Sequence, residues 1–298
     1  MNILIVTKTT NFELHGQAIG ENISQGRVSS DALSRLVLAH DEHYETLESL
    51  KEQLDLQGIS YRLVSRDSRW SWDGTYDAVV SVGGDGTLLA ASHNIQSVGR
   101  LIGIRSSQSS VGYLCSAGIG EIKPLVENLK NGTILWQAVS RVKAQLTKAS
   151  TGETVETVPV LNDLLYANAN PAATTRYKIL FRDRYETHRS SGIWFATGMG
   201  STAAILAAGG ERRPQTDSLF QFRVRELYKL GHKIPEIEGA LFDPDIDHVE
   251  IENRCPQAIL ATDGQHGNLE LGYGDIVKIK TGPLLHVAVG LHAGESST

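Results

Sequence analysis

The sequence predicts an α/β domain with a parallel sheet, followed by an all-β sandwich domain. The chain has 298 residues, a length typical of two domains. Up to about residue 134, short apolar runs alternate with helical patterns, which is typical of a parallel sheet covered by helices. Beyond that point, strand-like runs follow one another with few helices, which is typical of an antiparallel sandwich or barrel. We therefore predict domains at residues 1–134 and 135–298.

The first domain opens with a short apolar strand at residues 2–6 (NILIV). Residues 7–29 are polar and contain glycines, which predicts a long loop. From Ser30 onward, apolar residues recur at helical spacings as far as Gly58, a glycine placed to end a helix. Further strands are predicted at 59–65, 77–82 and 101–104, and helices at 87–93 and 122–129.

The second domain is predicted almost entirely as strands. Their segments are 139–149, 158–167, 177–181, 193–197, 248–251, 258–262, 276–281 and 286–291. One helical stretch at residues 202–208 interrupts the series. The charged segment 212–241 shows no clear period, which predicts a long loop carrying a helix.

Composition narrows the class of protein. The formal net charge is −6, without the basic excess of a nucleic-acid binder. No apolar run is long enough to span a membrane, and the opening strand is too short for a signal peptide. Two cysteines, Cys115 and Cys255, form neither a disulfide framework nor a zinc site. We expect a cytoplasmic protein without a membrane or nucleic-acid partner and without a dedicated metal site.

The strongest local signal is the segment 83–87 (GGDGT), between a buried strand and a helix. Glycines let the backbone approach a ligand closely, and a helix start offers N–H groups and a positive dipole end to an anion. This arrangement favours a phosphate site. Asp85 would repel phosphates unless it takes a proton from a hydroxyl or helps to hold a divalent ion. The alternative is a tight turn with a capping aspartate.

The segment GGDGT resembles the signature of the NAD kinase superfamily, which includes diacylglycerol and sphingosine kinases and, distantly, phosphofructokinases. Three later segments resemble NAD kinase motifs in the family order: 160–163 (VLND), 190–203 (SSGIWFATGMGSTA) and 261–264 (ATDG). The segments 6–10, 79–92, 105–115 and 190–192 are most similar to the mitochondrial-type branch.

This resemblance implies a kinase with a phosphofructokinase-like nucleotide-binding domain and a β-sandwich substrate-binding domain. ATP would phosphorylate the 2′-hydroxyl of the adenosine ribose of NAD, with Asp85 as the base. Mg²⁺ or another divalent ion would bridge the phosphates. The resemblance also implies a homodimer or a larger homo-oligomer. The binding residues that it implies are Gly83, Gly84, Gly86, Thr87, Asn162, Asp163, Gly200, Ser201, Thr202, Ala203 and Asp263.

The sequence departs from the family pattern around the acceptor. Asp163 stands where a glutamate is usual, Ala204 where an aromatic residue is frequent, and Ser191 where an aspartate is common. Two alternatives therefore stay open: a lipid kinase of the same superfamily, and a non-catalytic dinucleotide-binding module. The segment that follows GGDGT lacks the Asn-Glu pair typical of the lipid kinases, and Asp85 counts against a module without activity.

Overall fold

The structure is a computed structural model that describes residues 1–27, 29–229, 235–264 and 267–290. Parts of three predicted segments, at residue 28, at 230–234 and at residue 291, lie outside the described residues. The chain divides into two compact units. The first comprises Met1–Gln137 and the described residues from His286 onward, and the second comprises Ala138–Leu285.

The first unit has a sheet covered by helices. Its strands are β1 (Asn2–Thr7), β2 (Ser60–Ser65), β3 (Ala78–Gly83), β4 (Gly99–Arg105) and β5 (Trp136–Val139). Its helices are α1 (Asn11–Ser24), α2 (Ser30–Leu56), α3 (Asp85–His93) and α4 (Ile122–Asn131). The four strands β2-β1-β3-β4 lie side by side and run parallel. Strand β3 is buried along its whole length, as its unbroken apolar run predicts.

Helix α1 corrects the prediction of a long loop at residues 7–29. Thr10 caps the helix: its hydroxyl accepts the N–H of Glu13, whose carboxylate accepts the N–H of Thr10. Gly16 fits because a Cβ there would lie 2.8 Å from the ring of Phe12. The glycines and polar residues concealed a helix that the capping residues could have revealed.

The second unit consists of two six-stranded antiparallel sheets. Its elements are β6 (Val142–Thr147), β7 (Thr154–Glu156), β8 (Asp163–Asn168), β9 (Thr175–Phe181), β10 (Arg184–Ser190), β11 (Gly192–Ala196), α5 (Ala204–Ala207), β12 (Phe220–Arg225), β13 (Gly239–Phe242), β14 (Val249–Asn253), β15 (Ala258–Thr262), β16 (Gly267–Leu271) and β17 (Ile276–Thr281). The sheet orders are β10-β9-β14-β17-β6-β7 and β13-β12-β11-β8-β15-β16. One apolar core draws residues from both sheets, which explains their alternating burial.

Strands β12 and β13 correct the prediction of a loop with a helix at residues 212–241. In β12 the residues Phe220, Phe222 and Val224 face the core, and Arg223 and Arg225 alternate with them. The two arginines made the segment look like a charged loop, although its period of two is that of a strand.

The last described residues of the chain belong to the first unit. Strand β18 (Leu285–Ala288) lies between β4 and β5 in the first sheet. The predicted boundary at residues 134 and 135 does not include this return, because a strand pattern does not tell which sheet the strand joins.

Candidate functional site

The GGDGT segment lies at the carboxyl end of β3, where the strand order reverses. Strand β1 lies between β2 and β3, and β4 follows on the far side of β3. In open α/β sheets, ligands bind outside the carboxyl ends of the strands at such a switch point. The fold of the first unit therefore indicates a ligand site at the end of β3, independently of the GGDGT motif.

Steric limits explain two glycines of this turn. A Cβ on Gly83 would lie 2.2 Å from Oγ1 of Thr87, and a Cβ on Gly84 would lie 2.2 Å from Oγ of Ser110. Gly84 has extended backbone and precedes the first residue of α3. The glycines thus let the turn close against its own neighbours, and the open helix start remains available to an anion.

The carboxylate of Asp85 is held by backbone donors. Its Oδ1 accepts the N–H of Leu114 at 2.8 Å, and its Oδ2 accepts the N–H of Tyr113 at 3.1 Å. These bonds fix the orientation of the carboxylate. A carboxylate has about four acceptor positions, so it can still accept a bond from a substrate hydroxyl.

Thr87 contributes an unsatisfied polar atom. Its side chain is buried, and Oγ1 has no hydrogen-bond partner. A buried hydroxyl without a partner destabilises a fold by about 1–3 kcal/mol. Because this hydroxyl lies next to the glycine turn, a ligand bound there could supply the missing hydrogen bond.

A cleft of about 410 Å³ opens beside these residues, and it contains two cations that sequence reasoning missed. Lys8 follows β1 and Arg66 follows β2, and both line the cleft together with Asp85. Burial lowers the pKa of Lys8, and the nearby positive charge of Arg66 lowers it further. Both residues occupy the carboxyl ends of strands adjacent to β3, so the switch-point rule could have found them once the strand order was known.

A buried histidine bonds to the last residue of β1 and to the residue that follows β4. His43, on α2, bonds through Nε2 to Thr7 Oγ1 at 2.9 Å and through Nδ1 to Ser106 Oγ at 2.8 Å. Ser106 also donates its N–H to the carbonyl of Gly83. Burial lowers the pKa of His43 to about 4, so its imidazole is neutral near pH 7.

In the second unit, Asp263 organises the segment that holds two predicted site residues. Its Oδ1 accepts the N–H groups of Asn162 and Asp163 at 2.8 and 3.0 Å, and its Oδ2 accepts that of Leu161 at 3.1 Å. Asp263 has a left-handed backbone with φ 44°. The fully buried Arg141 interacts with its charge, and burial lowers the pKa of Arg141 to about 10. Asp263 thus shapes the turn at residues 161–163 through its own carboxylate.

Asp163 and Asn162 present acceptors that lack partners. Within the described part of the chain, the hydrogen bonds of Asp163 involve only its backbone. Burial raises the pKa of Asp163 to about 7, and the negative charge of Asp263 adds to the rise. The buried Oδ1 of Asn162 has no hydrogen-bond partner. Adjacent acceptors of this kind fit a ligand that brings hydroxyl or amino donors.

The second glycine-rich segment lies against the same turn. A Cβ on Gly200 would lie 2.1 Å from the carbonyl oxygen of Asn162, and Thr197 donates its N–H to that oxygen. Ser201 is fully buried and bonds through its hydroxyl to the backbone of Arg213. Thr202 and Ala203 are half-buried in a short 3-10 helix and its end.

Position 204 lacks the aromatic ring that is frequent there in the family pattern. Ala204 is exposed at the start of α5. Tyr166 does not replace the missing ring, because it lies in the core and donates its hydroxyl to Asn253. Trp194 is half-buried on β11 below the guanidinium of Arg225.

The structure therefore groups the predicted residues in two sets. In the first unit, Asp85 and its neighbours line one cleft with Lys8 and Arg66. In the second unit, a second set surrounds one turn: Asn162, Asp163, Gly200, Ser201, Thr202, Ala203 and Asp263. Among the described residues, no group of three or more His, Cys, Asp or Glu side chains could hold a metal ion. No described helix has the length and apolar character needed to cross a bilayer.

No protein-family model matches this chain. The chain is 29% identical over 271 residues to a probable NADH kinase of Oryza sativa subsp. japonica, covering 82% of this chain and 81% of the relative.

Two solved structures share the fold. One is an NAD kinase from Archaeoglobus fulgidus in complex with ATP, with TM-score 0.65, 18% identity and coverage of 96% of this chain and 93% of that one. The other is yeast NADH kinase complexed with NADH, with TM-score 0.67, 17% identity and coverage of 100% and 89%. The likeness bears out a mixed α/β N-terminal sheet with a β-rich C-terminal region. The relative is named as a kinase of NADH, and the two structures show that the chain shares their fold.

Proposed function

We propose that this protein is a kinase that transfers the γ-phosphoryl group of ATP to the 2′-hydroxyl of the adenosine ribose of NAD or NADH. The observation that carries the proposal is the cleft at the end of β3, where a glycine turn, one carboxylate and two cations meet. Relatives and structural neighbours named NAD kinase or NADH kinase support the same reaction.

The cleft of the first unit fits the triphosphate of the donor. Lys8 and Arg66 supply positive charge, and the start of α3 supplies free N–H groups. The unpartnered hydroxyl of Thr87 can donate to a phosphate oxygen. Because the chain lacks a P-loop lysine in this turn, the two cations at the ends of β1 and β2 take the corresponding part.

The turn at residues 161–163 fits the acceptor. An ionised Asp163 accepts hydrogen bonds, so it suits a ribose diol, and Asn162 Oδ1 accepts from an adenine amino group. The carboxylate of Asp163 must lose its proton to accept from both hydroxyls, and its raised pKa puts that change near pH 7. We therefore expect the affinity for NAD to rise with pH between about 6 and 8.

Asp85 is the base in this proposal. Its backbone donors, Tyr113 and Leu114, keep the carboxylate in one orientation, which is the condition for in-line attack by an activated hydroxyl. The proton of the 2′-hydroxyl passes to a carboxylate oxygen as the oxygen–phosphorus bond forms. The cations that line the cleft stabilise the negative charge of the transferred group.

The residues that line this cleft could hold a divalent ion only together with the phosphates of a bound nucleotide. Mg²⁺ is usually bound by one or two carboxylates together with substrate phosphates, and Asp85 is the carboxylate that lines this cleft. The ion would neutralise charge on the bound triphosphate. Asp85 would then contact it through a lone pair that its backbone donors leave free.

Three finer features belong to this proposal. We assign the chain to the mitochondrial-type branch, because the segments 6–10, 79–92, 105–115 and 190–192 are similar to it. Two free thiols are consistent with a cytoplasmic, reducing compartment. A homo-oligomer through the second unit would cover edge strands such as β10.

Radiolabelled phosphate transfer tests the proposed function. The purified protein is incubated with γ-labelled ATP and Mg²⁺, and NAD, NADH or diacylglycerol vesicles are offered separately. We expect label on NAD or NADH and none on the lipid. Label on the lipid alone, or on no acceptor while both nucleotides bind, would overturn the proposal.

A further inference from the structure

A small cavity in the second unit contains an arginine that the proposed reaction does not use. The cavity has a volume of about 90 Å³ and lies between β12, β13 and the segment that follows α5. Arg223 on β12 lines it together with Gly209, Gln221 and Gly239. We call it the Arg223 cavity. It is separate from the turn at residues 161–163, and none of the predicted site residues lines it.

The guanidinium of Arg223 lacks a counter-ion. Its Nε is buried without a hydrogen-bond partner, and among the described residues no carboxylate forms an ion pair with it. Two nearby arginines, Arg213 and Arg225, have partners. Arg213 pairs with Asp217, and Arg225 bonds to the carbonyl of Ser191 and lies over the ring of Trp194.

Two glycines give the guanidinium its position. A Cβ on Gly239 would lie 2.4 Å from Cδ of Arg223 and 2.9 Å from its Nη1, and a Cβ on Gly209 would lie 3.1 Å from Nη2. Gly209 has φ 84°, a backbone that favours glycine. A larger residue at position 239 would have to displace the arginine, whose side chain packs against this glycine.

The walls of the cavity are fixed by hydrogen bonds. The Gln221 amide accepts the N–H of Glu211 at 2.9 Å and donates to its carbonyl at 2.8 Å, which ties residues 209–211 to β12. On the other side, Arg223 pairs with Gly239 in the register of β12 and β13. A preformed cavity of this kind does not need to order its walls when a ligand enters.

We propose that the Arg223 cavity binds a phosphoryl group, either as inorganic phosphate or as the phosphate of a nucleotide. A guanidinium presents its donors as a fork that matches the oxygens of phosphate, and the two glycines make room for this guanidinium in the cavity wall. The volume exceeds what one water molecule needs several times over, so the cavity has room for one tetrahedral oxyanion. Glu211 also lines the cavity, and a carboxylate there would weaken the binding of an anion.

Binding measurements on matched variants test this proposal without reference to the kinase reaction. Calorimetry at constant ionic strength compares the wild type with Arg223→Gln and Arg225→Gln, using inorganic phosphate, adenosine 2′-monophosphate and adenosine as probes. Arg225 has the same charge two residues further along β12 but has partners, so its variant controls for the general basic field.

We expect Arg223→Gln to weaken the binding of at least one phosphate probe about tenfold or more, and Arg225→Gln to change it less than about twofold. Dependence on Arg223 for phosphate alone identifies the free anion, and dependence for the adenosine monophosphate alone identifies a nucleotide. Equal loss in both variants, or no dependence on Arg223 with either probe, would overturn the proposal.

Two further measurements keep the test valid if Arg223→Gln perturbs the fold. Arg223→Lys retains the charge and loses the fork, so it should also weaken phosphate binding several-fold. Without phosphate, Arg223→Gln should unfold at the same temperature as the wild type or higher, because an unpaired buried donor is removed. A lower unfolding temperature combined with unchanged phosphate binding in Arg223→Lys would show a purely structural role.

Discussion

Removing the charge of Asp163 should stabilise the protein above pH 7. Burial raises the pKa of this carboxyl from its ordinary 3.8 to about 7 in the folded protein, and the charge of Asp263 contributes. The folded state therefore holds a proton that the unfolded state releases. Stability falls as pH rises from about 4 to about 7 and then levels off. The variant Asp163→Asn keeps the shape and lacks this titration.

The size of the effect follows from the two pKa values. At about 1.4 kcal/mol for each pH unit, the difference between 3.8 and about 7 amounts to roughly 4 kcal/mol above pH 8. Between pH 5 and pH 8, the advantage of the variant should grow by roughly 3 kcal/mol, because only the interval from 5 to about 7 contributes. For a chain of this length, that is a difference of several degrees in Tm.

Thermal unfolding at pH 5 and pH 8 measures this difference, and Asp275→Asn is the matched control. Asp275 is also buried, and burial would raise its pKa, but the N–H groups of Ala149 and Gly272 and the charge of Lys148 lower it below the ordinary value. Its ionised form stabilises the fold, so Asp275→Asn should lower Tm at pH 8. If Asp163→Asn gains no stability over the wild type between pH 5 and pH 8, the buried, unpartnered state of this carboxyl is refuted.

Three further predictions concern the two sites and the assembly. The substitutions Lys8→Met and Arg66→Met should each raise KM for ATP about tenfold or more, because each removes a cation from the cleft at the end of β3. Their effect on KM for NAD should be smaller. Steady-state kinetics in which KM for NAD rises as much as KM for ATP would contradict this prediction. The substitution Ala204→Tyr should lower the dissociation constant of NAD several-fold in calorimetry, because stacking of a base on an aromatic ring contributes about 1–3 kcal/mol and residue 204 is exposed. An unchanged dissociation constant would show that the adenine base does not reach residue 204. Light scattering should give at least twice the chain mass of 32.4 kDa, and a monomer mass at micromolar concentration would contradict the proposed oligomer.

The predicted fold and the observed elements agree where the apolar pattern is strong. Strand β3 and helix α2 were predicted because an unbroken apolar run and a helical period describe them directly. Helix α1 was missed because Gly16 and the polar residues weaken its pattern, although Thr10 and Glu13 form its capping box. Strand β12 was missed because Arg223 and Arg225 alternate with the core residues Phe222 and Val224 and make the segment resemble a charged loop.

The candidate site was predicted only in part, because several of its features depend on chain neighbours far apart in sequence. Lys8 and Arg66 join Asp85 through the strand order β2-β1-β3, which no local pattern reveals. The raised pKa of Asp163 arises from burial and from Asp263, which lies 100 residues away along the chain. The sequence showed only that the Asp163 side chain is shorter than the usual glutamate.

Asp85 is the proposed base for phosphoryl transfer to NAD, and replacing its carboxylate by an amide tests that role. Wild type and Asp85→Asn are incubated with ATP, Mg²⁺ and NAD, and the product is measured with an NADP-specific dehydrogenase after calorimetry has shown that the variant still binds ATP. Loss of a general base typically lowers a rate by about 10²–10⁴. We predict that the wild type forms NADP and that Asp85→Asn is slower by a factor in this range. Turnover of the variant close to that of the wild type, in a preparation free of host kinase, would contradict the claim.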